Sequence, residues 1–119
     1  MSHGKQGKVW GETIELLNTP LIEVHRIQIN KGYVCSMHKH EFKWNMFYVI
    51  KGQLAIEVQK NDYDLLDVTP LGPNEWCSVK PNEFHRFRSV TDVEALEIYY
   101  LEPLTSDIVR QNVGGILEE

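Results

Sequence analysis

The chain has 119 residues, 42% hydrophobic and 24% charged, with a net charge of −5 at pH 7. That size holds one core, not two, and the composition excludes a disordered chain. The acidic balance disfavours nucleic acid as a partner, because backbone binding needs a basic surface that displaces counterions. No stretch has the length and apolarity of a membrane-spanning helix, and residues 1–11 contain no apolar run of the secretory type, so the expected setting is the cytoplasm.

Turn residues punctuate the chain at Asn18 to Pro20, Asn30 to Gly32, Lys51 with Gly52, Asn61 with Asp62, Pro70 to Asn74 and Pro81 to Glu83. Between them, residues 21–29, 33–38, 45–50, 54–60, 76–80, 85–89 and 95–101 are rich in β-branched and aromatic side chains and read as strands. In 54–60, Leu54, Ile56 and Val58 alternate with Glu57 and Gln59, which assigns one face to the interior and one to solvent. Helical signal is confined to residues 105–111, where Thr105 or Ser106 would cap a short turn with Asp107 in its first positions. The reading is a single all-β domain over residues 1–119, a sandwich or barrel with its core at about 8–110. The tails 1–8 and 113–119 lie outside that core, free or packed on a partner subunit. Cys35 and Cys77, each in a strand-like segment, are expected to be reduced.

His38 and His40 are two apart, so in extended chain they leave the same face and can reach one ion. His85 opens another strand, and closure of a barrel would bring it opposite the pair. The plain alternative is three exposed strand histidines. Three imidazoles suit one divalent transition metal, Zn, Mn, Fe, Ni or Co, with Cu also within the ligand class.

The spacing around these histidines is distinctive. Gly32, five intervening residues, His38-Lys39-His40, then Asn45 and six intervening residues before Gly52 resemble the first motif of the cupin superfamily. Asn74, Lys80, Asn82, His85 and Ser89 match the second motif more loosely, with Asn at both glycine positions. Asn is the residue after Gly that best tolerates the left-handed backbone such turns require. The resemblance implies a cupin-type double-stranded β-helix, a jelly-roll barrel. It also implies Glu at position 45 as a fourth ligand, where this chain has Asn45. A narrower likeness covers Lys8 to Leu17 (KVWGETIELL), the His-x-His block, His85-Arg86-Phe87 and residues 95–110, ending in Ser106-Asp107-Ile108-Val109-Arg110. These segments resemble the cupin domain of type II mannose-6-phosphate isomerases, which interconvert an aldose and a ketose phosphate with a divalent metal.

Asn45 leaves the ligand set neutral, so the cation should be held more weakly, with Asn45 either a weak ligand or the orienter of a bound water. Glu41 has the wrong offset from His38 and His40 to replace it. Phe47 and Val49 share the inward parity of Asn45, and Phe87 that of His85; these are core positions first and substrate-stacking candidates second. Met46, Tyr48 and Ile50 then form an outward apolar row, which predicts cover by another strand or a second subunit, hence a homodimer. His25 is a candidate general base or a packed strand histidine. Arg86 reads as surface charge, although with Arg88 it could hold a small anion. Arg110 is a candidate for a substrate phosphate or carboxylate through the family likeness alone. The leading functional expectation is a metal-dependent isomerase of a sugar phosphate. Alternatives are a three-histidine iron dioxygenase, a metal-free nucleotide-sugar isomerase or epimerase, and a non-enzymatic binding module.

Overall fold

The computed structural model describes residues 4–60, 65–101 and 107–117. Among them run nine strands and no helix: β1 (Lys5–Lys8), β2 (Gly11–Asn18), β3 (Ile22–Ile29), β4 (Trp44–Lys51), β5 (Leu54–Lys60), β6 (Leu65–Leu71), β7 (Trp76–Val79), β8 (His85–Ser89) and β9 (Val93–Tyr100). They form two antiparallel sheets, one ordered β1-β2-β3-β9-β4-β7 and the other β6-β5-β8. This is the sandwich or barrel expected from the strand pattern, in the jelly-roll form that the family resemblance implies.

Alternation explains how the two sheets close on one core. In β4, Asn45, Phe47 and Val49 are buried while Met46, Tyr48 and Ile50 are half-buried on the other face. In β8, His85, Phe87 and Ser89 point inward. Ile27, Ile29, Phe47, Val49 and Ala95 of the larger sheet meet Leu54, Ile56, Leu71 and Phe87 of the smaller one. Asn45 and His85, each 1% exposed, are therefore polar groups inserted into a largely apolar interior.

The turns that aim these strands rest on left-handed residues. Asn74 and Asn82 have φ of 66° and 67°, the geometry that the second motif fills with glycine. Asn74 is fixed further by its N–H donating to the Val49 carbonyl at 2.7 Å and by the Tyr48 hydroxyl donating to its side-chain oxygen at 2.9 Å.

Several expectations are corrected. Residues 5–8, read as part of a tail, form β1, and β2 and β6 were not anticipated as strands. β1 is polar and contains Gly7, so pairing with β2 rather than propensity makes it a strand. The bulge between Glu15 and Leu17 interrupts the period of β2. β6 carries Pro70 and is exposed except at Leu71, as suits an edge strand. Residues 33–38 do not form a full strand but touch β8 at two isolated bridges, Val34 with Arg88 and His38 with His85. Asp107 to Gln111 show no helix, and the proposed caps Thr105 and Ser106 lie outside the described residues, as do Asn61 and Asp62.

Glu57 was expected to face solvent, yet it is 6% exposed. Arg86 Nε donates to one of its carboxylate oxygens at 2.6 Å and Arg88 Nε to the other at 3.1 Å. The two arginines are thus bound to Glu57 rather than free surface charges open to an anion. Burial raises the Glu57 pKa, but the hydrogen bonds from Arg86 and Arg88 outweigh it and leave the carboxyl below its usual range.

Candidate metal centre

Backbone pairing brings the two histidine-bearing segments together. His38 N–H donates to the His85 carbonyl at 3.0 Å, and His85 N–H returns a bond to the His38 carbonyl at 2.8 Å. Asn82 N–H adds a bond to the His40 carbonyl at 2.7 Å, so the left-handed turn before β8 also holds the His-x-His segment. The result is a cluster of His38, His40 and His85 whose candidate ligand atoms all lie within 4.8 Å of one another. Ring centroids are 4.8 Å apart for His38 and His85, 5.1 Å for His38 and His40, and 5.6 Å for His40 and His85.

The hydrogen bonds around the rings show which nitrogens are available. His38 Nδ1 contacts the Ser36 carbonyl at 2.7 Å, and His85 Nδ1 contacts the Glu83 carbonyl at 2.9 Å. A carbonyl only accepts, so both Nδ1 atoms carry hydrogen, and in each neutral ring the lone pair lies on Nε2. Carbonyl-held imidazoles of this kind are the usual support for metal-ligating histidines. His40 Nε2 is buried with no hydrogen-bond partner among the described residues, an orphaned polar atom that a cation would satisfy.

Burial disfavours the charged form of His40 and of His85. Burial, reinforced by His38 and His85, pulls the His40 pKa down to about 4. Burial also lowers that of His85, against the opposing hydrogen bond to Glu83. With its hydrogen on Nδ1, the neutral form of His85 would present the Nε2 lone pair to Asn45 Oδ1 at 2.9 Å, two acceptor atoms face to face. Adjacent ligands in an octahedral shell with bonds of 2.1 Å stand about 3.0 Å apart, so a shared cation reconciles the pair. The three imidazoles and the Asn45 oxygen fit a borderline divalent ion by donor type.

The cluster opens through His38 onto a cavity of about 440 Å³, whose wall also includes Trp10, His25, Phe87, Glu97 and Tyr99. Gln6, Lys8, Thr13 and Glu15, all from β1 and β2, contribute further polar lining. Glu97 and Tyr99 stand on the inward face of β9, where Tyr99 is registered with Asn45 and Glu97 with Phe47. Burial pushes the Glu97 carboxyl up, opposed by hydrogen bonds from Tyr99 and Asn45. Burial and Glu97 together raise the Tyr99 hydroxyl. The Tyr99 ring packs edge-on against His40 at 5.0 Å and His25 at 5.9 Å.

The other sequence candidates are dispersed. Phe87 lines the cavity and meets Trp10 at 4.9 Å, whereas Phe47 is 1% exposed, belongs to the core and touches His85 edge-on at 6.4 Å. Glu41 is exposed, and Arg110 lies in the exposed C-terminal segment, outside the cavity lining. His25 lines the cavity and contacts Glu23 at 3.3 Å. Cys35 and Cys77 are free thiols that burial pushes up to about 11. Glu97 and Tyr99 were missed, although the alternation Ala95, Glu97, Tyr99 within 95–101 carried the signal of polar groups on an apolar face.

The fold and site define a small all-β barrel with a histidine cluster that could hold a metal ion at one end. The chain belongs to the cupin domain family Cupin_2, whose model matches residues 25–100. It is 29% identical over 73 residues to polyketide synthase CurC of Streptomyces cyaneus, a match covering 61% of this chain and 44% of that protein. The chain thus matches less than half the length of that curated relative. Among solved structures, KdgF from Halomonas sp. superposes with a TM-score of 0.71 at 16% identity, covering 85% of this chain and 90% of that one. The capsular polysaccharide assembling protein CapF from Staphylococcus aureus gives 0.69 at 18% identity, covering 81% and 27%. Oxalate decarboxylase of Bacillus subtilis gives 0.72 at 11% identity, covering 86% and 28%. These likenesses establish the fold.

Proposed function

We propose that this chain is a metal-dependent cupin enzyme acting on a small polyhydroxylated substrate, in its most specific form an aldose–ketose isomerase of a sugar phosphate. One observation carries the reading: the His38, His40 and His85 cluster opens through His38 onto a cavity lined by both polar and aromatic side chains. Its volume of about 440 Å³ is in the range of small-molecule sites. Gln6, Thr13 and Glu15 offer partners for hydroxyl groups, and Lys8 offers a cation for a phosphate. The likeness of residues 8–17 and 95–110 to type II mannose-6-phosphate isomerases supports the same substrate class.

The three imidazoles, with Asn45 as a weak fourth donor, would hold the ion. When bound, it would supply Lewis-acid polarisation of a substrate carbonyl. Phe87 and Trp10 form an aromatic wall of the cavity, while His25, Glu97 and Tyr99 are the titratable groups opposite the cluster that would serve for proton transfer. Manganese is favoured among the candidate ions because the fold neighbour oxalate decarboxylase has Mn(II) centres. A cytoplasmic setting is part of the same proposal.

The deciding experiment is metal analysis of untagged protein followed by turnover assays on hexose phosphates and nucleotide sugars. Stoichiometric divalent metal with hexose-phosphate isomerisation is expected. Iron with oxygen consumption would replace the reading with a dioxygenase, and turnover of nucleotide sugars without metal would replace it with an epimerase or isomerase of that class. Metal-free, inactive protein would leave a binding module.

The outward row on β4 also supports a homodimer. Met46 pairs with Ile98, and Tyr48 with Leu96, in one apolar surface across β4 and β9. Sedimentation at micromolar concentration should give twice the chain mass, and a monomer there would refute the proposal.

A further inference from the structure

An aldose–ketose isomerase needs a group that takes a proton from one carbon and returns it to the next. The inner face of β3 carries an imidazole placed for that work. Ile27 and Ile29 are buried on this face, and by alternation Glu23 and His25 continue it toward the cavity. His25 stands between Glu15 of β2 and Glu97 of β9 in the strand register, and it shares the cavity wall with His38. The Tyr99 ring meets His25 edge-on at 5.9 Å and His40 at 5.0 Å, so one aromatic ring spaces the His25 imidazole from the cluster. Of the imidazoles lining the cavity, His25 alone lies outside the candidate metal ligands.

Hydrogen bonding fixes this ring. Its Nε2 lies 3.3 Å from Glu23 Oε2, and Lys43 Nζ donates to Glu23 Oε1 at 3.1 Å. Burial raises the Glu23 pKa, but the hydrogen bonds to His25 and Lys43 outweigh it and leave the carboxyl below its usual range. An ionised carboxylate only accepts, so the neutral ring carries its hydrogen on Nε2 and its lone pair on Nδ1. Among the described residues, the side-chain hydrogen bond of His25 is made through Nε2, and Nδ1 is left uncommitted. An imidazole held by a carboxylate at one nitrogen and open at the other is the arrangement of a general base with its orienting group.

We propose that His25 is the catalytic base, with Glu23 and Lys43 as positioning residues that hold its Nε2 hydrogen and present Nδ1 to the substrate. Nδ1 takes the proton from C2 of the aldose; the C–H electron pair becomes the C1=C2 bond, and the carbonyl pair moves to O1. The His25 imidazolium then returns the proton to C1, the O2 proton passes to O1, and the ketose carbonyl forms at C2. The inference rests on the isomerase reading above.

The test has two parts, both on untagged full-length protein. In metal-free protein in mildly alkaline buffer, long-range proton–nitrogen correlation spectra of the imidazoles should show the His25 hydrogen on Nε2, and Glu23→Ala should lose that preference. With Mn(II) added, turnover of mannose 6-phosphate is followed in deuterium oxide. His25→Gln should lower kcat about 100- to 10,000-fold and abolish deuterium uptake at the substrate carbons, with KM and metal content unchanged. Glu23→Ala should lower kcat in the parent and have no further effect in the His25→Gln background, a coupling that a merely structural role would not produce.

Parent-like kcat in His25→Gln would overturn the inference while leaving the isomerase standing. A parent spectrum with the His25 hydrogen on Nδ1 would also overturn it, and this measurement needs neither a variant that folds nor any turnover. A parent that converts no hexose phosphate would remove the isomerase reading and this inference with it.

Discussion

Glu57 and Glu97 are both enclosed carboxylates, and the barrel treats them in opposite ways. Glu57, on β5, lies beneath Arg86 and Arg88, which hold its carboxyl below the usual range. Glu97, on β9, has an amide and a phenol for company, and burial pushes it up. β8 links the two environments, presenting Arg86 and Arg88 on its outer face and His85 and Phe87 on its inner face. A carboxylate satisfied by its own protein stabilises structure. One left without a cation in a cavity wall is kept at a cost, and such groups concentrate at functional sites.

Substitutions on the two sides should separate these roles. The largest effect is expected from His85→Ala, which removes one of three imidazoles and a buried polar anchor. Metal content measured on purified protein should fall at least about 100-fold. Retention of the metal would refute the three-histidine assignment.

Glu57→Gln should leave metal binding unchanged and instead cost about 1–3 kcal/mol of stability at pH 7, read from urea unfolding. The folded pKa of Glu57 is depressed, so its contribution is present above the unfolded value of 4.5 and disappears as pH falls through the lower folded value. The parent and variant unfolding curves should therefore converge in acid. A gap that persisted at low pH would mean that packing, not charge, sets the cost.

The smallest effect concerns the turn shared by both sides. Asn82→Ala should destabilise by about 1 kcal/mol, because alanine tolerates φ near 67° less well than asparagine, while Asn82→Gly should be neutral or slightly stabilising. Thermal unfolding would measure both. Loss of metal affinity beyond the loss of stability would show that the turn also aims His40 through the Asn82 N–H bond.

The inner face of β8 was more legible in the sequence than its outer face. His38, His40 and His85 announce themselves by residue type and by fixed distances to turn residues, and Asn74 and Asn82 occupy the left-handed positions that the motif requires. Glu57 was misread because strict alternation sends it outward. Nothing local reveals that two arginines from a strand far along the chain will cover it. Alternation in 95–101 could have flagged Glu97 as inward, but its nearness to Asn45 depends on the β4–β9 register, which no single segment encodes. β1 and β6 escaped because edge strands take their form from a neighbour and tolerate the glycine and proline that argue against a strand in isolation.

The reciprocal backbone bonds between His38 and His85 bear on how the site acquires its ion. Those bonds close the long intervening loop as part of sheet formation, so the entropy of gathering the ligands is spent by folding and not by coordination. Such a seat can be emptied and refilled without unravelling, unlike a zinc finger that folds only around its ion. Occupancy would then follow the free concentrations of competing cations, and the same barrel would carry different metals in differently supplied cells.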